Sequence, residues 1–188
     1  MPNTVYGLLK ATRSHRITSP DVRTDLDHGR PNACSLCHLD KPLAWTAERL
    51  AEHWNVAAPD LPAERREVAE APFRLLTGDA GQRALWAWHM GWAPAREASG
   101  DVWQAPFLAA TLDDPYAVVR GIAVRSLRKA PGYASFEFDF AASADDRVGA
   151  SAAARKLWPG AESPPAIPLG SLETLLRRRD DRPMRLAE

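Results

Sequence analysis

A chain of 188 residues is long enough to bury a substantial core in one domain or one and a half. Lysine plus arginine and aspartate plus glutamate both number 24, so no basic excess suits nucleic acid and no nucleic-acid partner is expected. No stretch approaches the roughly 18 apolar residues of a membrane-spanning helix, and two cysteines are too few for a disulfide framework.

Residues 1–42 read as an irregular, extended arm. Pro2, Gly7, Pro20, Gly29, Pro31 and Pro42, with the polar run Thr18-Ser19-Pro20-Asp21, interrupt every period before a helix could nucleate. The arm also contains the stretch Arg30-Pro31-Asn32-Ala33-Cys34-Ser35-Leu36-Cys37-His38-Leu39-Asp40-Lys41, which holds both cysteines and follows them at once with histidine. This is C-x-x-C-H, the pattern of covalent c-type haem attachment. Two thiols three positions apart suit the two vinyl groups along one haem edge, and the adjacent imidazole can then reach the iron from one face. Cys34 and Cys37 are therefore the candidate thioether positions and His38 the candidate proximal ligand.

Other chemistries fit the same residues. A redox dithiol shares the C-x-x-C spacing, but it normally sits in a βαβ unit and no strand-rich segment flanks this one. A zinc site needs four ligands, which Cys34 and Cys37 could complete with two of His15, His28 and His38. A structural loop that carries the pattern by chance is the third alternative. For a haem, the second axial ligand would come from His15 or His28, although each also reads as an ordinary loop histidine. His28 stands six residues before Cys34, far enough along an extended chain to wrap a haem edge.

The pattern changes at Leu43. Leu43, Ala47, Leu50, Ala51 and Trp54 follow helical spacing, with Glu48, Arg49 and Glu52 opposite and His53 expected at the helix end or in solvent. After Pro59-Asp60-Leu61-Pro62, helices are predicted over about 63–76, 79–92, 101–112, 115–129, 145–158 and 171–179. Asp114-Pro115 offers an N-cap followed by proline at the first helical position, and Gly132 and Gly160 fall past helix ends. A faint repeat runs through this part: Val118, Ala123, Val124, Arg125 and Leu127 recur thirty positions later as Val148, Ala153, Ala154, Arg155 and Leu157. Arg83-Ala84-Leu85 reads as a diverged copy of Arg120-Gly121-Ile122. Trp86, Trp88, His89 and Trp92 share one helix and are expected to pack a core rather than wall a cofactor. Phe136-Glu137-Phe138-Asp139-Phe140 alternates like a strand but is expected to plug a groove between helices. The run Arg177-Arg178-Arg179-Asp180-Asp181-Arg182 reads as solvated charge.

Arg30–Lys41, together with Trp45-Thr46-Ala47, resembles the R-P-N-A-C-x-x-C-H-x-D-K…W signature of bacterial multihaem c-type cytochromes whose C-terminal part carries HEAT-like helical repeats. The opening Met1–Lys10 with Arg13-Ser14-His15 is also similar to that family, and Asp-Pro-x-x-Val-Val-Arg at 114–120 resembles the second helix of a HEAT repeat. The resemblance covers the first 55 or so residues strongly and the remainder loosely. It implies an all-α fold in which an irregular haem-binding arm leads into stacked HEAT-like helical hairpins, an alpha solenoid. The implied division is a haem-binding segment at 1–57, a helical-repeat domain at 58–160, and a linker with a final helix at 161–188.

The cofactor so implied is haem c, with His15 resembling a distal ligand that serves a neighbouring haem and His28 left for the haem on Cys34 and Cys37. The implied role is an electron carrier rather than an enzyme, periplasmic, whose partner is a redox protein or upstream haem domains of the same polypeptide. In the family an earlier C-x-x-C-H directly precedes a segment like Met1-Pro2. Upstream coding sequence is accordingly expected to encode a signal peptide and a further motif. A HEAT-type interaction scaffold whose C-x-x-C-H is empty or binds zinc is the rival reading. No Gly-rich phosphate loop, G-x-S-x-G or H-E-x-x-H is present to support hydrolytic or phosphoryl-transfer chemistry.

Overall fold

The computed structural model describes residues 2–7, 10–15, 19–158, 160 and 171–183. These are mostly helical. In chain order the helices are α1 (Val22–His28), α2 (Leu43–Trp54), α3 (Ala63–Glu67), α4 (Glu70–Thr77), α5 (Ala80–Met90), α6 (Ala93–Ser99), α7 (Ala105–Ala110), α8 (Ala117–Leu127), α9 (Ala144–Leu157) and α10 (Leu172–Leu176), with a 3₁₀ turn at Thr111–Asp113. A short antiparallel hairpin pairs β1 (Val5–Gly7) with β2 (Lys10–Thr12).

Helix α5 forms the middle of the molecule. Its start is set by a capping box, in which Asp79 Oδ1 accepts from Gln82 N at 2.8 Å and Gln82 Oε1 accepts from Asp79 N at 3.2 Å. Ala80, Ala84, Leu85, Trp86, Ala87 and Met90 are all buried, an apolar set too broad for a single face, so the helix needs neighbours on several sides. It packs against α4, α8 and both strands, while α4 touches α7. The hairpins α4–α5 and α7–α8 thus lie against each other, α4 on α7 and α5 on α8. Helix α9 extends the stack beside α7, and α10 returns to α4.

The α5–α8 approach is close at Gly91, where a Cβ would meet Ser126 Cα at 2.8 Å and Ser126 Oγ at 2.5 Å. Lys129 Nζ donates to the Gly91 carbonyl at 3.0 Å across the same contact. Gly91→Ala should therefore force the two helices apart and cost about 1–3 kcal/mol, read as a lower urea midpoint.

Several expectations need correction. The arm is not irregular throughout, because it contains α1 as well as the hairpin. Asp21 caps α1 by accepting from Arg23 N at 2.9 Å, and Gly29 ends it with φ of 61°, a left-handed value that favours glycine. The predicted helix over 63–76 is broken at Val68-Ala69, where Ala69 bridges to Pro42 and Glu70 N donates to Lys41 O at 2.9 Å. Helix α6 was not expected, though Pro94 near its start is a usual helix-opening signal. The Asp114-Pro115 start lies ahead of α8, which opens at Ala117, and Asp114 is instead buried against Arg83. Residues 133–144 hold no strand before α9, and Phe136 and Phe138 pack against the main core as a groove plug would. The two repeat copies differ in burial: Ala123, Val124 and Leu127 are buried, whereas Val148 and Leu157 are exposed on the outermost helix. His53 is exposed at the end of α2, as expected.

Candidate functional site

Residues 32–38 form one helical turn. Leu36 N donates to Asn32 O at 3.1 Å, Cys37 N to Cys34 O at 3.1 Å and His38 N to Cys34 O at 2.9 Å. Asn32 Oδ1 caps it by accepting from Cys34 N at 2.9 Å. In such a turn residues i, i+3 and i+4 share a face, which places Cys34, Cys37 and His38 together. Burial follows that geometry. Ser35, Leu36 and Leu39 are buried, whereas Cys34, Cys37 and His38 are all half-buried, so the donors line the accessible side. Both thiols are free.

The turn is anchored in two directions. Leu36 and Leu39 belong to the main core with the helical stack, and Leu43, Ala47 and Leu50 of α2 form a smaller core with Val22 and Leu61. The Ser35 and Thr46 hydroxyls lie 3.3 Å apart in the buried layer between turn and helix. On the outer side the His38 and Trp45 rings pack with centroids 4.7 Å apart and planes tilted by 53°. Asn32 Nδ2 and Asp40 Oδ1, buried at either end of the motif, have no hydrogen-bond partner among the described residues.

The environment bears on the thiols. Burial pushes both the Cys34 and the Cys37 thiol up from their ordinary values, and no cationic group offsets it enough to yield a thiolate. A reactive dithiol needs the opposite shift, so the redox-dithiol reading loses support.

His15 and His28 are both exposed, His28 in the last turn of α1. Among the described residues no three His, Cys, Asp or Glu side chains converge as a metal-ion site, so His15 and His28 do not gather with Cys34, Cys37 and His38 around one point. The four-ligand zinc site is therefore not assembled.

Two groups next to the motif escaped the sequence reading. Asp25 of α1 is 1 % exposed and meets Arg65 Nη2 at 3.0 Å; Arg65 Nη2 also meets Glu70 Oε1 at 2.6 Å, and Arg74 pairs with both carboxylates. This four-membered cluster fastens α1, and with it the segment leading to the motif, to α3 and α4. The second is His89, whose contact with the N-terminal segment the sequence did not suggest and which is fully buried. Its Nε2 donates to Asn3 O at 2.7 Å, and its ring packs in T-shaped contacts with Trp88 and Trp92, at centroid separations of 4.9 and 5.3 Å. His89 therefore holds the N-terminal segment, and the backbone of Leu36 in the motif turn lies close to its ring. Spacing alone gave no sign of either contact.

No family model matches the chain, and neither a curated protein nor a solved structure is significantly similar to it. Among the described residues no helix is long and apolar enough to cross a membrane.

Proposed function

We propose that this chain is an electron-transfer module that carries one covalently attached haem c on residues 34–38. The observation that carries the reading is the shared face of Cys34, Cys37 and His38 on a turn whose other side is buried. Zinc requires ligands converging on a point, whereas a haem edge requires two thiols spread along it with an imidazole beside them. Three donors on one shared face of a turn, with no convergence of metal ligands among the described residues, support the second requirement better than the first.

In this reading Cys34 and Cys37 hold the haem by thioethers and His38 is the proximal ligand. When bound, the haem supplies a one-electron ferric/ferrous couple. The chain's own part is to fix the donors: Leu36 and Leu39 pin the turn, Asn32 caps it, and α2 braces it. The helical body, which we read as a HEAT-like stack, would present a docking surface to a redox partner or to other haem domains of the same polypeptide. Buried Arg83 and Arg120 support the repeat reading. Each reaches from one hairpin toward the next connection, Arg83 Nε to Asp114 at 2.6 Å and Arg120 Nε to the Phe140 carbonyl at 2.7 Å. C-type maturation takes place outside the cytoplasm, so the reading carries a periplasmic location with it.

Expression with c-type maturation machinery should give a pyridine haemochrome spectrum and haem that stays with the chain on denaturation. Cys34→Ala with Cys37→Ala should abolish it. A wild-type chain that acquires no covalent haem would leave the helical interaction scaffold in its place. For the second axial ligand the reading selects His28, so His28→Ala should convert a low-spin spectrum to high-spin while His15→Ala should not. An unchanged spectrum in the His28 variant would remove that assignment.

A further inference from the structure

We infer that Trp45 is the positioning residue for the His38 imidazole: its indole holds the ring in one orientation on the accessible face of the motif turn and keeps water from one side of it. The inference deepens the haem reading and rests on it for its electrochemical consequence alone. Among the described residues no hydrogen bond reaches the His38 ring, so the ring's orientation is set by packing, and the packing partner is Trp45 at 4.7 Å between centroids. A half-buried side chain on a turn otherwise samples several rotamers.

Trp45 itself has little freedom to move. It lies in the first turn of α2, whose other side is fixed by buried Leu43, Thr46, Ala47 and Leu50. Neighbouring residues of that turn thus grip the motif from both sides, Thr46 through the Ser35 hydroxyl within and Trp45 through His38 without. The backbone between them is short and tied: Lys41 N donates to His38 O at 3.2 Å and Trp45 N to Pro42 O at 3.1 Å. A shift of the helix that carries the indole would disturb the smaller core that α2 builds with Val22 and Leu61.

The electrochemical consequence follows from charge. The ferric state carries one more positive charge than the ferrous state, so water admitted beside the proximal imidazole favours the ferric form and lowers the potential. Wild type, Trp45→Ala and Trp45→Phe should be compared both without haem and after c-type maturation. In the haem-free protein, nuclear magnetic resonance should show the His38 ring protons displaced by the indole, with the signal assigned by its loss in His38→Gln. That displacement should vanish in Trp45→Ala and persist in part in Trp45→Phe. In the haem-loaded protein the Trp45→Ala ferric/ferrous ratio at fixed potential should rise about tenfold, about 59 mV for one electron, with Trp45→Phe recovering most of it. Identical His38 resonances in wild type and Trp45→Ala overturn the inference, as does an unchanged potential in the loaded variant. If wild type takes no covalent haem, the haem reading fails, and the haem-free spectra still decide whether Trp45 positions His38.

Discussion

Arg65→Ala should lower the unfolding free energy by about 3–5 kcal/mol, because it leaves buried carboxylates without half of their compensating charge. Arg65 is 5 % exposed and its Nη2 serves Asp25 and Glu70 together. Its guanidinium also lies 4.7 Å from the centre of the Phe73 ring, an attraction that alanine removes as well. With Arg65 gone, Arg74 alone faces two acids, and Asp25 Oδ2 and Glu70 Oε2 already lack hydrogen-bond partners among the described residues. A loss of that size is a large share of the roughly 5–15 kcal/mol that holds a domain together. The measurement is urea unfolding with unchanged slope, and the amides of α1 should lose hydrogen-exchange protection first. A loss below about 1 kcal/mol would mean that the cluster is hydrated and contributes as a surface pair would.

Acidification should destabilise the protein through His89. Burial pulls its pKa from 6.5 down to about 4, against the opposing pull of the Asn3 carbonyl and the nearby Leu36 backbone. The folded-state value lies below the unfolded one, so between these limits the unfolded chain binds the extra proton. His89 therefore contributes stability in full above about pH 6.5, and loses it as pH falls toward 4. The span of the shift corresponds to about 3 kcal/mol. Carboxylates titrate in the same range, so the readout is a difference: the unfolding free energy of His89→Gln should fall less steeply between pH 6.5 and 4 than that of wild type. Parallel curves for the two proteins would show that the ring is not held neutral.

Local sequence carried much of this architecture because several elements depend on their own residues. Leu43, Ala47 and Leu50 announce α2 by their spacing and are buried as that spacing requires, although Trp54 on the same expected stripe is 68 % exposed. The Cys34–His38 pattern is equally local, and the turn that gathers its donors is capped from within by Asn32. What escaped notice depends on residues far apart in sequence. Helix α1 lies in an arm whose prolines and glycines suggested no helix at all, and its buried polar residue Asp25 is matched by Arg65 and Arg74, respectively 40 and 49 residues away. The break between α3 and α4 follows from Ala69 and Glu70 turning to meet Pro42 and Lys41, which no helix propensity records. Trp45 stood in the motif's surroundings without a role until the fold laid it on His38.

The partners of α5 also set a timetable for synthesis. Arg83 Nη1 donates to Asp180 O at 2.7 Å across 97 residues, and His89 reaches Asn3 across 86. One helix near the middle of the chain is thus completed by segments near both of its extremes. On the ribosome, the α4–α5 hairpin would emerge with the Gly78 carbonyl already available to its buried arginine but the Asp180 carbonyl not yet translated, and that last contact would be made only as residue 180 leaves the exit tunnel. Contacts of such long range slow folding, because loop closure must be completed before they contribute. This chain should accordingly reach its native state as a late, cooperative event rather than helix by helix.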